Sequence, residues 1–237
     1  MRRLFVLVVV AFMFISLQSA EATIIYQNYF QTGADLSGWS SNAGSLTIST
    51  SPNGYKFLGR DPEYGFSSET VSLSLSGIPV ENIGIHLAFD LYIIASWDGN
   101  STEWGPDIFN LSVSGGPTLL NTTFSTHDYQ SYPDNYGTGA SYLWNTGASE
   151  VGKLGYTHMP FTNAIYHLAY TFPHSNSELI INFAGINLQE IGDESWGIDN
   201  VIISTEGSVI PEPNTIFLLG SGLLGIGAFG FIKKRKS

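Results

Sequence analysis

Residues 83–94 read IGIHLAFDLYII, and apolar side chains occupy every second position from Ile83 to Ile93. Alternation with a period of two places one face of a β-strand in an apolar core and the other face towards solvent. We find no apolar pattern with helical spacing between the two ends of the chain. The sequence therefore predicts a domain built of β-strands. The same alternation recurs in ETVSLSLSG (69–77), AIYHLAYTF (164–172) and ELIINFAG (178–185).

Turn-forming stretches separate these predicted strands, at SPNG (51–54), DGN (98–100), SGGP (114–117) and HSNS (174–177). They supply the Gly, Pro and Asn residues that chain reversals need. Short strands joined by turns over about 185 residues favour one antiparallel β-sandwich, and at this length we expect a jelly roll rather than an immunoglobulin-like fold. Residues 126–162 are rich in Tyr, Asn, Gly and Ser, so we expect a long loop or an excursion at one end of the sandwich.

The first 22 residues have the layout of a secretory signal peptide. Arg2 and Arg3 precede an apolar run over residues 4–17, and the small residues Ala20 and Ala22 follow. The run is short for about 30 Å of hydrocarbon, and a cleavage site of the A-x-A type comes directly after it. We therefore predict cleavage after Ala22, with a membrane anchor as the alternative.

The C-terminal segment, residues 207–237, has three parts in order. The motif Pro211-Glu212-Pro213 comes first, an uncharged stretch over residues 214–232 follows, and the chain closes on a basic tail. A helix over the stretch would span roughly 28 Å at about 1.5 Å per residue, which is enough to cross a bilayer once. The positive-inside rule then places the tail in the cytoplasm and the predicted sandwich, residues 23–206, outside. The tail consists of Lys233, Lys234, Arg235 and Lys236.

These three parts resemble the PEP-CTERM sorting signal of Gram-negative bacteria. The resemblance implies that the chain is held transiently in the inner membrane and that an exosortase-type enzyme cleaves it near Pro-Glu-Pro. It further implies delivery to the cell surface or into the extracellular polysaccharide of a biofilm. An ordinary tail anchor is the alternative, although two prolines around a glutamate serve no anchoring need.

The region between the two ends is strongly acidic. Residues 23–209 hold three fixed cations, Lys56, Arg60 and Lys153, against 18 Asp and Glu, which leaves a formal charge of −15. Such a surface repels phosphate backbones, so we predict no nucleic-acid partner and expect divalent cations as counter-ions. The chain contains no Cys, which excludes disulfides and thiolate zinc sites.

Two acidic clusters are candidate calcium sites. DESWGIDNVII (193–203) contributes Asp193, Glu194 and Asp199, and SWDGNSTEWGPDIFNLSV (96–113) contributes Asp98 and Asp107. Calcium takes six to eight oxygen ligands, and carboxylates interspersed with Gly and Asn supply them. The alternative is that these acids end strands and make side-chain turns.

The same stretches, together with FQTGADLSGW (30–39), resemble domains that recur among PEP-CTERM proteins and, more distantly, jelly rolls related to carbohydrate-binding modules. In such modules a metal often ties the first and last strands together. The resemblance implies Asp199 as the principal calcium ligand, with a first-strand partner in the segment that holds Asn28 and Asp35.

Aromatic residues make up 14% of the chain, enough for both a core and an exposed surface. Exposed rings on loops stack on the apolar C–H faces of sugars. We predict ligand contacts from Trp104, Trp144 and Tyr136. We expect Trp97 and Trp196, which lie beside predicted strands, to pack in the core.

The sequence holds no G-x-S-x-G elbow, and its five histidines are scattered, so it offers no catalytic pattern. We therefore expect a non-enzymatic structural or adhesive protein, exported to the cell surface or matrix, where it binds glycans. The alternative is a secreted glycan-active enzyme, a hydrolase or lyase on a jelly roll. A glycoside hydrolase requires two carboxyl groups about 5–10 Å apart in a cleft.

Overall fold

A computed structural model of the chain describes residues 22–78, 83–157 and 162–205. The predicted signal peptide, apart from Ala22, and the whole of the predicted sorting segment lie outside these ranges. Within them, no helix is long and apolar enough to cross a membrane. The predicted spanning stretch over residues 214–232 also falls outside the described residues.

All of the regular elements in the described ranges are β-strands, and their pairings are antiparallel. The prediction of an all-β fold with antiparallel sheets is confirmed, and the jelly-roll subtype stays a prediction. The strands are β1 (Thr23–Asn28), β2 (Trp39–Ser41), β3 (Thr47–Thr50), β4 (Lys56–Gly59), β5 (Thr70–Ser76), β6 (Ile83–Ala95), β7 (Ile108–Val113), β8 (Thr118–Thr123), β9 (Tyr129–Gln130), β10 (Tyr142–Leu143), β11 (Glu150–Val151), β12 (Ala164–His174), β13 (Glu178–Ile186) and β14 (Glu194–Thr205).

The strands form two large sheets and one small ribbon. A seven-stranded sheet has the order β11-β12-β6-β14-β4-β3, with β1 also paired to β14. A five-stranded sheet has the order β2-β5-β13-β7-β8, and β9 pairs with β10 alone. The long strand β6 therefore lies between β12 and β14, with Leu91 opposite both Tyr166 and Ile198.

One apolar core joins the two large sheets face to face. The ring of Phe89 on β6 meets Phe183 on β13 edge-on at 5.1 Å, and Phe109 on β7 meets Trp196 on β14 at 5.3 Å. Trp97 and Trp196 are fully buried, which confirms their predicted place in the core. The predicted alternation thus marks strands whose inner faces build this core.

A second apolar cluster lies on the outer face of the seven-stranded sheet. Tyr92 of β6 and Ile165 of β12 pack there against Leu154 and Tyr156. The described part of the predicted excursion, residues 126–157, therefore covers part of the outer face, and it carries β9, β10 and β11. Strands of two residues are too short to show a period in the sequence.

Candidate functional site

Three carboxyl groups from distant parts of the sequence meet beyond the end of β6. Asp98 follows β6, Asp107 immediately precedes β7, and Glu194 begins β14. One carboxylate oxygen from each of the three residues lies within 4.8 Å of the other two. We term Asp98, Asp107 and Glu194 the acidic trio.

The loop between Asp98 and Asp107 closes on itself. The Asp107 N–H donates to the Gly99 carbonyl at 3.0 Å, and the Asp107 carboxylate accepts the Asp98 N–H. Gly99 has a φ of +63°, and a Cβ at this position would collide with the Tyr129 carbonyl. Both the positive φ and the close approach require glycine here.

The acidic trio is almost closed to solvent. Asp107 and Glu194 are 0% exposed, and the side chain of Asp98 is 13% exposed. Glu194 Oε2 accepts the Gln189 N–H at 2.6 Å, and Asp98 Oδ1 contacts His127 Nε2 at 2.9 Å. Among the described residues, Glu194 Oε1 and Asp107 Oδ1 have no hydrogen-bond partner. Buried carboxylate oxygens are normally satisfied, so these two need an explanation.

Burial is the largest cause of the electrostatic shifts in the trio. Burial first, and then neighbouring carboxylates, raise the pKa of Asp107 to about 7 and that of Glu194 to about 9. Burial also raises the pKa of Asp98. The described ranges show no ion pair between the trio and a Lys or Arg. His127 contacts Asp98, so Asp107 and Glu194 are the groups that must be neutralised by protons or by a cation, and the oxygen atoms of the trio could hold a metal ion.

Two other predicted calcium ligands on or beside β14 have partners of their own. The Asp193 carboxylate accepts the Ser96 hydroxyl at 2.5 Å, so Asp193 lies next to the trio without joining it. Asp199 accepts the Tyr92 hydroxyl at 3.1 Å, and burial raises the pKa of Asp199 to about 6. The structure thus separates Asp199 from Glu194, although both lie on β14.

The two candidates near the first strand contact each other. Asn28 Nδ2 donates to the Asp35 carbonyl at 2.8 Å, and the Asp35 carboxylate accepts the N–H and the hydroxyl of Ser37, both at 2.8 Å. Strand β1 pairs with β14 at Asn28 and Val201. The first and last strands are joined there by backbone pairing, and neither Asn28 nor Asp35 belongs to the trio.

Sequence reasoning missed three residues that shape the trio: Gly99, His127 and Gln189. The Asp-Gly pair at residues 98–99 signalled a turn, but its contact with Tyr129 depends on tertiary structure. His127 and Gln189 carried no local signal at all. All three are identified only when loops from distant parts of the chain are brought together.

The three predicted sugar-contacting side chains are exposed. Trp104 is 61% exposed, Trp144 47% and Tyr136 37%. Trp104 lies in the loop that Asp98 and Asp107 close, whereas Trp144 and Tyr136 lie in the excursion. We term these three residues, together with the exposed Tyr129 and Tyr142 of the excursion, the loop aromatics.

Hydrogen bonds from Asn100 tie the two segments together. Its N–H donates to the Tyr129 carbonyl at 2.8 Å, and its Nδ2 donates to the Ala140 carbonyl at 3.2 Å. Its Oδ1 accepts the hydroxyls of Thr123 and Ser131 at 2.6 and 2.7 Å. The loop that carries Trp104 is therefore held against the excursion.

A groove of about 460 Å³ runs where β8, β12 and the segment after β9 meet. Its lining combines aromatic and polar side chains, and one of the lining carboxylates, that of Asp134, accepts the hydroxyl of Tyr142 from outside the groove at 2.8 Å. Rings beside hydrogen-bonding groups are typical of small-ligand sites. The lining includes Tyr132, Asp134, Asn135, His167 and Tyr170.

Residues 209–236 match the family model of the PEP-CTERM protein-sorting motif, which confirms the resemblance found in the tail. No curated protein matches the chain.

Solved structures similar to this chain include carbohydrate-binding modules. One, TmCBM27, recognises mannan; it is 14% identical, with 78% of this chain and 98% of the module covered and a TM-score of 0.38. A family 35 module from Clostridium thermocellum is 10% identical, with 78% and 98% covered and a TM-score of 0.33. An exo-β-1,3-galactanase from Phanerochaete chrysosporium is 17% identical, with 78% of this chain and 29% of the enzyme covered and a TM-score of 0.33. Likeness at this level says nothing about what this chain binds.

Proposed function

We propose that the chain is an exported, non-enzymatic protein of the cell surface or extracellular matrix, processed by an exosortase-type enzyme, whose β-sandwich binds glycans. The match of residues 209–236 to the sorting motif carries this proposal. A signal peptide over residues 1–22, a transient inner-membrane anchor over residues 214–232 and a Gram-negative host belong to the same proposal. In it, Pro211-Glu212-Pro213 marks the processing site, and the basic tail stays in the cytoplasm.

The loop aromatics support glycan binding. Trp104 and Trp144 expose 61% and 47% of their surface on loops that hydrogen bonds hold in place. These loops would therefore lose little conformational entropy when a sugar stacks on the rings. The groove adds Asp134, Asn135 and His167 as partners for sugar hydroxyls. Because residues 23–209 carry a formal charge of −15, a neutral polysaccharide suits this surface better than an anionic one.

A binding role is favoured over glycan cleavage. Glycosidases hold two carboxyl groups about 5–10 Å apart on either side of an accessible bond. In the acidic trio, carboxylate oxygens lie within 4.8 Å of one another, and Asp107 and Glu194 are 0% exposed. A sugar cannot reach them without opening the fold. The trio suits a bound cation better, and calcium is the ion that we include in the proposal.

Affinity electrophoresis of the full chain in detergent tests the glycan proposal. Gels containing laminarin or galactomannan, which are neutral, should retard the protein more than gels containing alginate, which is acidic. Trp104→Ala and Trp144→Ala should each weaken retardation by roughly 2- to 12-fold, the equivalent of about 0.5–1.5 kcal/mol per stacked ring. Tyr29→Ala is the control, since Tyr29 is 46% exposed but lies just after β1, outside the loop aromatics. Equal mobility in all of these gels would contradict the proposal, as would equal losses in all three variants.

A further inference from the structure

We infer that Asp98, Asp107 and Glu194 form a calcium site that fastens the loop over residues 98–107 to the first residue of β14. Three carboxylates converge to within 4.8 Å. Two of their oxygens, Asp107 Oδ1 and Glu194 Oε1, are buried in wholly unexposed residues and lack a partner among the described residues. This inference rests on the calcium included in the proposed function and deepens it by naming the ligands, and its test is independent of glycan binding.

Turn chemistry does not account for these two oxygens. An acid that caps a turn uses its oxygens on nearby N–H groups, and Asp107 does so once, with the N–H of Asp98. Glu194 likewise uses Oε2 on the N–H of Gln189. The remaining oxygen of each residue needs a proton or a cation, since an unpaired buried carboxylate oxygen is costly.

A cation fits better than shared protons because three acids converge rather than two. A proton can bridge Asp107 and Glu194, and His127 lies against Asp98 Oδ1 at 2.9 Å, but a single cation would satisfy Asp107 Oδ1, Glu194 Oε1 and the Asp98 carboxylate together. Lys56, Arg60 and Lys153 are the only Lys and Arg residues between positions 23 and 209. Arg60 pairs with Glu69 at 2.9 Å, and neither lysine forms an ion pair with the trio in the described ranges.

Calcium is the cation that these ligands select. The trio offers oxygen atoms and no sulfur, which favours a hard ion over zinc or copper. Calcium accepts an irregular shell of six to eight oxygens, whereas magnesium demands a near-ideal octahedron and keeps several waters. A largely enclosed site with 0% exposure at Asp107 and Glu194 leaves little room for such waters, so calcium should bind more tightly.

An ion at the trio would also stabilise the loop that presents Trp104. Trp104 lies between Asp98 and Asp107, and Gln189 Nε2 donates to its carbonyl at 3.4 Å. Asn100, two residues after Asp98, holds the excursion through Tyr129. Calcium would therefore anchor both segments that carry the loop aromatics.

Calorimetric titration of calcium chloride into the full chain, in detergent and stripped of metal with EDTA, tests the site. We expect one ion per chain and a rise in Tm of about 5–10 °C at a hundredfold excess over Kd, with a smaller rise in magnesium. Glu194→Gln and Asp107→Asn should each weaken calcium binding by about 100-fold or more, because each removes a charged ligand. Asp199→Asn is the matched control: it alters a buried acid on the same strand and should leave calcium binding unchanged.

Terbium provides a second readout that does not depend on unfolding. Trp97 is buried beside Asp98 in the sequence, so its excitation should sensitise terbium bound at the trio, and calcium should displace the signal. Glu194→Gln should lose this signal and Asp199→Asn should keep it. The inference would be overturned if the wild-type chain showed no heat of calcium binding and no sensitised terbium emission, and if neither calcium nor EDTA changed its Tm. The trio would then be a proton-sharing cluster. Loss of binding in Asp199→Asn alone would overturn the inference as well.

Discussion

The metal-free Glu194→Gln variant should gain stability relative to wild type as the pH rises from about 5 to about 9. Burial, together with Asp107, raises the pKa of Glu194 from 4.5 to about 9 in the folded chain. Between these two values the folded state binds a proton that the unfolded state has released. The free energy of unfolding therefore falls as pH rises through this window and stops falling above about pH 9. The amide that replaces the carboxyl group has no such proton to lose, so the variant lacks this part of the decline.

The expected size follows from the proton count. One full proton corresponds to at most about 1.4 kcal/mol per pH unit. Solvent screening and the sharing of protons within the trio reduce this to something on the order of 0.5–1 kcal/mol per pH unit. For a domain of this size, the Tm of Glu194→Gln should rise relative to wild type by about 1–4 °C for each pH unit.

Thermal unfolding followed by near-UV circular dichroism, in EDTA and between about pH 5 and pH 9, measures this difference. Asp199→Asn provides an internal comparison, because burial raises the pKa of Asp199 from 3.8 only to about 6. Its difference from wild type should develop below about pH 6 and stay constant above it. Parallel curves for wild type and Glu194→Gln across the whole range would refute the reasoning, since Glu194 would then be ionised in the folded protein.

Three further predictions concern the tail, the loop and the core. Intact mass spectrometry of protein extracted from its host's surface should show chains that end near Pro213, and retention of the basic tail in most molecules would favour a plain anchor. Gly99→Ala should destabilise the fold by about 1–3 kcal/mol and weaken calcium binding, whereas Gly54→Ala, with a φ of +86° and open space around it, should cost about 1 kcal/mol and leave calcium binding intact. Phe183→Ala should cost about 3–5 kcal/mol in denaturant unfolding, and an equal loss in Ile186→Ala, which is 39% exposed, would show that the core is not where the packing places it.

The strands that could be predicted from the sequence are those whose alternating apolar pattern lies within one short stretch of the chain. In IGIHLAFDLYII, the alternating residues from Ile85 to Ile93 that face the core lie within one short window, so a period of two is visible without knowing any partner. The excursion gave no such signal, because β9, β10 and β11 each contain two residues. Its packing depends on Leu154 and Tyr156 meeting Tyr92, and a contact between residues so far apart leaves no periodic trace in the chain.

Asp98, Asp107 and Glu194 were each predicted as calcium ligands from the sequence, but their meeting at one site was not. Asp98 and Asp107 lie in one cluster of the sequence and Glu194 in another, and they meet because Glu194 lies opposite Ala95 in the pairing of β14 with β6. That register is set by long-range packing and cannot be read from either cluster alone. The resemblance to carbohydrate-binding modules favoured Asp199 instead. Glu194 and Asp199 are separated by an odd number of positions on one strand, so they point to opposite faces and cannot share an ion.

The face on which Glu194 lies explains why the trio needs a counter-charge at all. Trp196 and Ile198 follow Glu194 on the inner face of β14 and belong to the core between the sheets, so the Glu194 carboxyl continues a row of apolar side chains. A carboxylate at the end of such a row loses its hydration without gaining an apolar contact. The proposed cation would offset that loss, and in a chain without Cys it would also provide a cross-link between loops that no disulfide can supply. Because this end of the sandwich carries Trp104 and lies against the excursion, removal of the ion should loosen the proposed glycan-binding loops before it unfolds the opposite end of the core.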